Sequence, residues 1–339
     1  MKRFPKVLLS ASLAILMLGA CSGRKYFEPE NTHSANFAVQ DTGKEAVSIM
    51  RDGITFADGS FLTKKGIGAF KLLEGYHYVT QSDRYLLAAD DKGNIAVYDR
   101  KSGKLLQKNS LKMPLISAGI RGDRIFYIQQ DNIFGIYSIS AKKTIIEAKV
   151  GRAFAIDTRI ANPMPLGNLV IVPTLDGKLL IVDPSNPRAA RGLAIGKEYN
   201  LNNIIYLSKI GRFIIAATPR KLISVAPGAM HKYSAPVADV TISGNTIYLL
   251  TVGGEIVKLS PTLKVLAKRK FQYAQFTTIA VVGGKIYALD RSGALVVLDP
   301  TLKRSKIYDI GSVENYAFVS GGKLYKDKEV IELSKLSYE

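Results

Sequence analysis

Residues able to do chemistry are few and scattered in this sequence. The 339-residue chain has one cysteine, Cys21, and three histidines, His33, His77 and His231. One thiol excludes an internal disulfide, and the set excludes a Cys/His zinc cluster. Neither His77 nor His231 has a carboxylate or thiol beside it in sequence, so neither reads as catalytic. A Gly-x-Ser-x-Gly elbow, a His-Glu-x-x-His pair and a phosphate-binding Walker loop are all absent. Gly66-Ile67-Gly68 begins like a dinucleotide loop, but Lys71 takes the place of the third glycine, and the run reads as a turn. Gly283-Gly284-Lys285 and Gly321-Gly322-Lys323 fall at equivalent repeat positions and read as inter-strand turns. Asp183 and Asp299 also occupy matching positions, which favours turn chemistry over acid–base work. The expectation is a non-enzymatic chain with no metal and no cofactor.

Cys21 acquires a role from what precedes it. Lys2, Arg3 and Lys6 form a cationic start, and an uncharged apolar run over 7–20 follows, too short to span a bilayer comfortably. That run ends Leu18-Gly19-Ala20-Cys21. The four residues resemble the lipobox of bacterial lipoproteins, in which small residues admit the signal peptidase and the cysteine is acylated. An ordinary secretory signal followed by a chance cysteine is the alternative. The resemblance implies a signal peptide over 1–20, a mature chain starting at Cys21 with three acyl chains, and a lasting membrane anchor. Ser22 stands where aspartate marks inner-membrane retention in enteric bacteria, so the implied address is the periplasmic face of a Gram-negative outer membrane. Residues 21–45 read as a tether with one short strand at 36–39.

That address changes the meaning of the charge. The chain carries 47 basic and 28 acidic side chains, a net +19, and removing 1–20 leaves +16. Such an excess suggests nucleic acid, but a periplasmic protein meets essentially none. Anionic lipid or acidic protein surfaces are the expected partners, unless the charge is only a solvated lysine-rich surface.

The organisation of the chain comes from a repeat. Ile247-Tyr248, Gly254 and Pro261-Thr262-Leu263-Lys264 recur 39 residues later as Ile286-Tyr287, Gly293 and Pro300-Thr301-Leu302-Lys303. Related units start near Tyr85 and Leu169. Each reads as a β-hairpin: alternating branched and aromatic residues, a turn, then a second strand. Further hairpins fall at 54–62, 125–140, 213–225 and 324–333, making eight, the last turning at Lys326-Asp327-Lys328 without glycine. Shorter apolar segments at 116–120, 237–242, 278–282 and 316–319 read as inner strands. Those at 144–150, 265–270 and 306–310 read as outer ones. Four strands every ~40 residues predict an all-β, eight-bladed β-propeller of four-stranded antiparallel blades over 46–339. The 36–39 segment is expected to close the ring against the C-terminal strands. Seven blades follow if the first short hairpin merges with the last, and a regularly spaced β-sandwich is the blander alternative.

The stretch Tyr98-Asp99-Arg100-Lys101-Ser102-Gly103-Lys104 resembles the repeat of quinoprotein-like propellers, with Gln107 where their docking tryptophan stands. The chain has no tryptophan, so blade docking must use tyrosine, phenylalanine and aliphatic residues. A working quinone dehydrogenase, with its paired cysteines and tryptophan platform, is excluded.

Lipobox and propeller together resemble the BamB family, the scaffold lipoproteins of the outer-membrane β-barrel assembly machinery. The resemblance implies a non-enzymatic scaffold that docks on the periplasmic POTRA domains of the barrel-forming BamA subunit and helps guide unfolded outer-membrane proteins. The family's docking arginine falls on Arg159, in Asp157-Thr158-Arg159-Ile160-Ala161-Asn162-Pro163, with Ile160 beside it. An arginine with an apolar neighbour suits an interface hot spot. The family's next blade entry carries two acidic residues, whereas this chain reads Leu201-Asn202-Asn203-Ile204. Residues 184–200 read as an insertion that lengthens one blade, with Arg188 and Arg191 as further candidates for binding a partner or anionic head groups. The alternative function is an envelope lipoprotein propeller of another kind: an adhesin, a sugar- or peptidoglycan-binding module, or a divergent hydrolase.

Overall fold

The middle strands of each hairpin are apolar on both sides, and such strands must be covered on both faces. In the computed structural model, which describes residues 26–153, 155–196 and 201–339, this is met by eight separate sheets arranged as the blades of a propeller. Blades 1 to 7 span 46–67, 77–110, 115–149, 164–194, 206–234, 237–270 and 276–309, and blade 8 combines 317–332 with Val39–Asp41. In blades 1 to 7 the four consecutive strands follow chain order and pair antiparallel, and first strands contact each other between neighbouring blades around a central channel. The first hairpin keeps its own sheet, Ala46–Met50, Gly53–Phe56, Phe61–Thr63 and Gly66–Ile67, so the count is eight and not seven. Gly66 and Ile67, read from sequence as a turn, are the short fourth strand of that blade, paired with Thr63 and Leu62. Two residues carry too little alternation to register as a strand.

Successive side chains point to opposite blade boundaries. In Tyr85–Ala89, the residues Tyr85, Leu87 and Ala89 pack toward blade 3, while Leu86 and Ala88 pack toward blade 1. Each boundary holds its own apolar cluster, eight around the ring. Aromatic rings fill the tryptophan-free joints, as where Phe61 stacks on Tyr78 at 5.6 Å and meets Phe70 edge-on at 5.3 Å. The outer strands are largely solvent-facing, and lysines along them, such as Lys143 and Lys149, discourage pairing with other chains.

Closure lies between the termini. Val39–Asp41 pairs antiparallel with Glu329–Glu332 and supplies the fourth strand of blade 8. The segment predicted as a strand over 36–39 is displaced: Asn36–Ala38 forms a 3-10 turn, because Ala35 and Ala38 must turn inward to be buried beside Leu333 and Leu336. His33 and Ser34 add a parallel fifth strand to blade 7, so this part of the segment read from sequence as a tether belongs to the sheets.

One bond recurs at every blade. The residue ending the turn between second and third strands offers its carbonyl to the N–H of a residue at or just after the outer end of that blade. The pairs are Gly59–Leu72, Gly93–Leu111, Asn132–Val150, Gly177–Ile195, Arg220–Ala235, Gly254–Phe271, Gly293–Ile310 and, across the closure, Lys328–Thr42, at 2.7–3.2 Å. At Gly293 the backbone has φ +100°, and a Cβ there would lie 2.2 Å from the Gly311 carbonyl oxygen. Close approach, as well as the turn, requires glycine at this position. Gly293→Ala is expected to lower the unfolding midpoint well beyond the cost of about 1–2 kcal/mol that a left-handed alanine carries. Gly283→Ala (φ +56°, open space around the Cβ position) is expected to show that smaller cost alone. Denaturant unfolding of both variants checks this, and equal shifts would contradict it.

Candidate docking surface

Antiparallel blades put their turns at two ends of the ring. The connectors between blades share one end with the turns after second strands. Turns after first and third strands share the other. At the connector end, the segments 150–163 and 201–205 lie against each other. Leu201 N–H donates to the Ala155 carbonyl and Ala161 N–H to that of Ile204, at 3.0 and 2.9 Å. Asn203 is completely buried between them. Its side chain accepts from Asp157 N–H at 2.7 Å and donates to the carbonyls of Asp157 and Arg159 at 3.0 and 3.1 Å. A buried amide with that many partners fixes the 157–159 loop.

Arg159 is held on that loop, with about a third of its side chain exposed (33%). Its guanidinium forms a two-pronged ion pair with Asp157, Nε to Oδ1 at 2.8 Å, and donates to the carbonyls of Val237 and Ala238 in blade 6. Burial alone would raise the Asp157 carboxyl, but the side-chain and backbone hydrogen bonds of Arg159 outweigh it and hold the group below its usual range. Arg159 is thus less free than a solvated loop arginine. Ile160 turns half-inward, against the cluster between blades 3 and 4. The exposed apolar neighbour is Ile156 (40% exposed), which sequence reasoning passed over. Asn203 was passed over too, because nothing in Leu201-Asn202-Asn203-Ile204 marks one amide as buried.

The remaining sequence candidates do not join this site. Arg188 lies in the 3-10 turn Pro187–Ala189 between third and fourth strands of blade 4, at the opposite end of the ring, and is exposed. Arg191 opens the fourth strand, Arg191–Ala194, paired with Lys178–Val182. The stretch read as an insertion over 184–200 is, as far as Gly196, the turn and outer strand of the blade. Its prolines and Arg-Gly opening hid the strand. Residues 197–200 lie outside the described residues, as do Leu18, Gly19, Ala20 and Cys21. Asp183 and Asp299 cap their turns: Asp183 accepts from Ser185, and Asp299 from Thr301 and the Arg304 N–H. Burial would raise the Asp299 carboxyl, yet those bonds hold it near 2. His77 and His231 stand in blades 2 and 5.

Behind the 157–162 loop, the channel is crossed by charge. Arg51 and Asp52, the turn after the first strand of blade 1, reach over to blades 4, 5 and 6. Arg51 pairs with Asp239 at 3.0 Å and lies over the Tyr206 ring at 5.1 Å. Asp52 accepts from Asn162 Nδ2 at 2.6 Å, and the free oxygen of Asp239 accepts from Ile279 N–H at 3.0 Å. Lys64 completes the group, its ammonium 4.0 Å from the Phe318 ring centre. Burial within the ring, with Arg51 adding repulsion, lowers Lys64 to about 8, although the residue keeps an exposed surface. Among the described residues no group of three His, Cys, Asp or Glu side chains could hold a metal ion.

Eight four-stranded sheets in a ring, with the channel bridged by ion pairs and a braced loop at the connector end, define a β-propeller by architecture. The profile of the outer membrane protein assembly factor BamB matches residues 45–207. The chain is similar to the crystal structure of BamB from Moraxella catarrhalis, with a TM-score of 0.65 and 17% identity, covering 86% of this chain and 98% of that one. AztD from Citrobacter koseri gives a TM-score of 0.55 at 15% identity, covering 80% and 90%. In sequence, the plasminogen-binding protein PgbB of Helicobacter pylori is 25% identical over 323 residues, covering 81% of this chain and 59% of PgbB. The chain therefore spans about six-tenths of the curated relatives it matches. By fold it is an eight-bladed β-propeller, similar to that of BamB. No helix among the described residues is long and apolar enough to cross a membrane.

Two outcomes follow from this geometry. Asn203→Ala is expected to destabilise the protein by about 1–3 kcal/mol, the cost of leaving buried donors and acceptors unpaired. It should also raise amide hydrogen exchange at 157–161. Lys64 keeps its proton to about pH 10.4 when unfolded but releases it near 8 when folded, so the unfolded state binds more protons between these values and stability rises with pH there. Lys64→Met should flatten that part of the profile of unfolding midpoint against pH. The effect is smaller than for a fully enclosed lysine, since Lys64 meets solvent.

Proposed function

We propose that this protein is a non-enzymatic scaffold lipoprotein, anchored through acylated Cys21 in the outer membrane and facing the periplasm. There it assists β-barrel assembly by docking on the POTRA domains of a BamA-like subunit. The observation that carries this reading is the braced loop at the junction of blades 3, 4 and 5 on a BamB-like ring. A guanidinium on a side chain one-third exposed, an exposed isoleucine and a buried amide beneath them make a rigid hot spot. Preorganisation reduces the ordering cost of binding. Asp157 supplies, within the same loop, a carboxylate beside the arginine, while the 201–204 connector contributes only its amides and apolar residues. Unfolded outer-membrane proteins are a second class of partner on this reading.

The likeness to PgbB favours a second reading, capture of an external protein ligand such as plasminogen, by an envelope propeller with the same anchor.

A photo-crosslinking side chain at Ile156 or Arg159 is expected to capture the BamA-like subunit in intact cells. Arg159→Ala should cut co-purification after mild detergent extraction roughly tenfold, the scale of one interface hot spot. Mass spectrometry of the purified protein reads the acyl chains on Cys21, and Cys21→Ser should abolish them. Adducts with other proteins only, together with plasminogen binding by the purified chain, would replace the first reading with the second.

A further inference from the structure

Residues 26–31 lie against a particular flank of the ring. Phe27 sets its ring edge-on to Phe271 at 5.9 Å, at the end of the outer strand Val265–Lys270 of blade 6. Residues 26–31 line a cleft of about 940 Å³ with 269–273 and 305–307. Cys21 lies five residues before Tyr26, and five residues span at most roughly 18 Å. On the reading that Cys21 is acylated, on which this inference rests, the boundary of blades 6 and 7 is therefore held against the bilayer. The 157–159 loop, three blades away around the ring, is left for a partner.

The flank has the chemistry that such a position calls for. Along Val265–Lys270 the exposed side chains are Val265, Leu266, Lys268 and Lys270. Tyr26 and Tyr273 flank the cleft with 58% and 42% exposure, amphipathic rings suited to a head-group layer. Lys264 and Lys303, in the neighbouring turns between third and fourth strands, are also exposed. Among the described residues no carboxylate pairs with Lys264, Lys268, Lys270 or Lys303. Glu28 and Glu30 on the strap offset part of the charge, and Arg24 and Lys25 precede them in the chain.

The end of the ring to which these turns belong is cationic as a whole. The third-to-fourth-strand turns at 64–65, 100–104, 139–142, 183–190, 227–228, 260–264 and 299–304 hold ten basic and two acidic residues. The second-to-third-strand turns at the other end hold four basic and six acidic ones. What distinguishes the blade 6–7 flank is that its lysines stand beside exposed Leu266 and the two tyrosines, at the point where the anchor arrives.

We propose that the outer strand Val265–Lys270, the Lys303 turn and the tyrosines at the strap form a membrane-contact surface that binds anionic phospholipid bilayers. It would act as a second membrane signal beside the acyl anchor and set the tilt of the ring.

The test uses the mature chain with Cys21→Ser, which carries no acyl group, sedimented with vesicles of phosphatidylglycerol in phosphatidylcholine or of phosphatidylcholine alone. Binding to the anionic vesicles alone, weakening as salt rises, is expected. Replacing Lys264, Lys268, Lys270 and Lys303 with alanine should weaken it at least about tenfold, since each lysine near a charged surface contributes appreciably. Replacing Lys101, Lys104, Lys143 and Lys232, on blades 2, 3 and 5, should change it less than about threefold, with both sets keeping the wild-type unfolding midpoint. Equal losses from the two sets, or no preference for anionic vesicles, would overturn the proposal, as would charge-dependent capture by an acidic protein without any vesicle binding. Acylation of Cys21 is read separately by mass in the unaltered protein, so its failure is distinguishable from failure of the contact surface.

Discussion

The hydrogen bond from the turn that starts each third strand to the chain leaving the fourth is the constraint on which the ring depends. It ties the end of a blade to its middle and fixes the direction in which the connector sets out. The bond repeats at 2.7–3.2 Å in all eight blades, although the connectors that follow range widely in length. Glycine serves in five blades because connector backbone or side chain crowds the turn. Asn132, Arg220 and Lys328 do the same work in the other three. Where the chain is not continuous, the bond survives: Thr42 N–H takes the Lys328 carbonyl across the closure at 2.7 Å, and the Thr42 hydroxyl donates to the same oxygen at 2.6 Å.

Regularity of this kind explains why the one irregular region holds the candidate site. The connectors 150–163 and 195–205 are longer than the others and must be braced by side chains in place of sheet. Asn203 does so from one, Asn162 ties the other to Asp52 of the channel group, and Arg159 ties it to the blade 6 carbonyls of Val237 and Ala238, next to Asp239. The bridging of the channel and the stiffness of the loop are thus one network. Removing a charge from its centre leaves its partner buried and unpaired, which is the expensive case for an ion pair. A surface loop fixed in this way holds one face toward solvent.

Much of the fold was legible in the sequence because blade architecture is written in period-two alternation and in turn residues at fixed offsets. All eight hairpins appear where those signals fall, including the one turning at Lys326-Asp327-Lys328. The losses have a common physical origin. Gly66–Ile67, Arg191–Ala194 and Val39–Asp41 are short outer strands, half exposed, and their pairing is decided by a neighbouring strand and not by their own pattern. The site was less legible still. Arg159 was found through a family likeness, but its bonds to Val237 and Ala238 join residues nearly eighty positions apart, and no local signal reveals them. Asn203 looks like any loop amide until its burial is seen.

The closing strand has a consequence for how the protein comes into being. Residues 39–41 are made first and 329–332 nearly last, and the two must meet across 286 residues, the separation of Thr42 and Lys328. Contacts so distant in sequence are slow to form. Until the last blade emerges, blade 8 lacks its middle strands and the apolar boundaries beside it have no lid. The ring is therefore an all-or-nothing assembly: a chain cut short in its last twenty residues loses the clasp holding its beginning. The chain therefore stays an open polymer until its last blade is available, and only then does the ring shut around its own first strand.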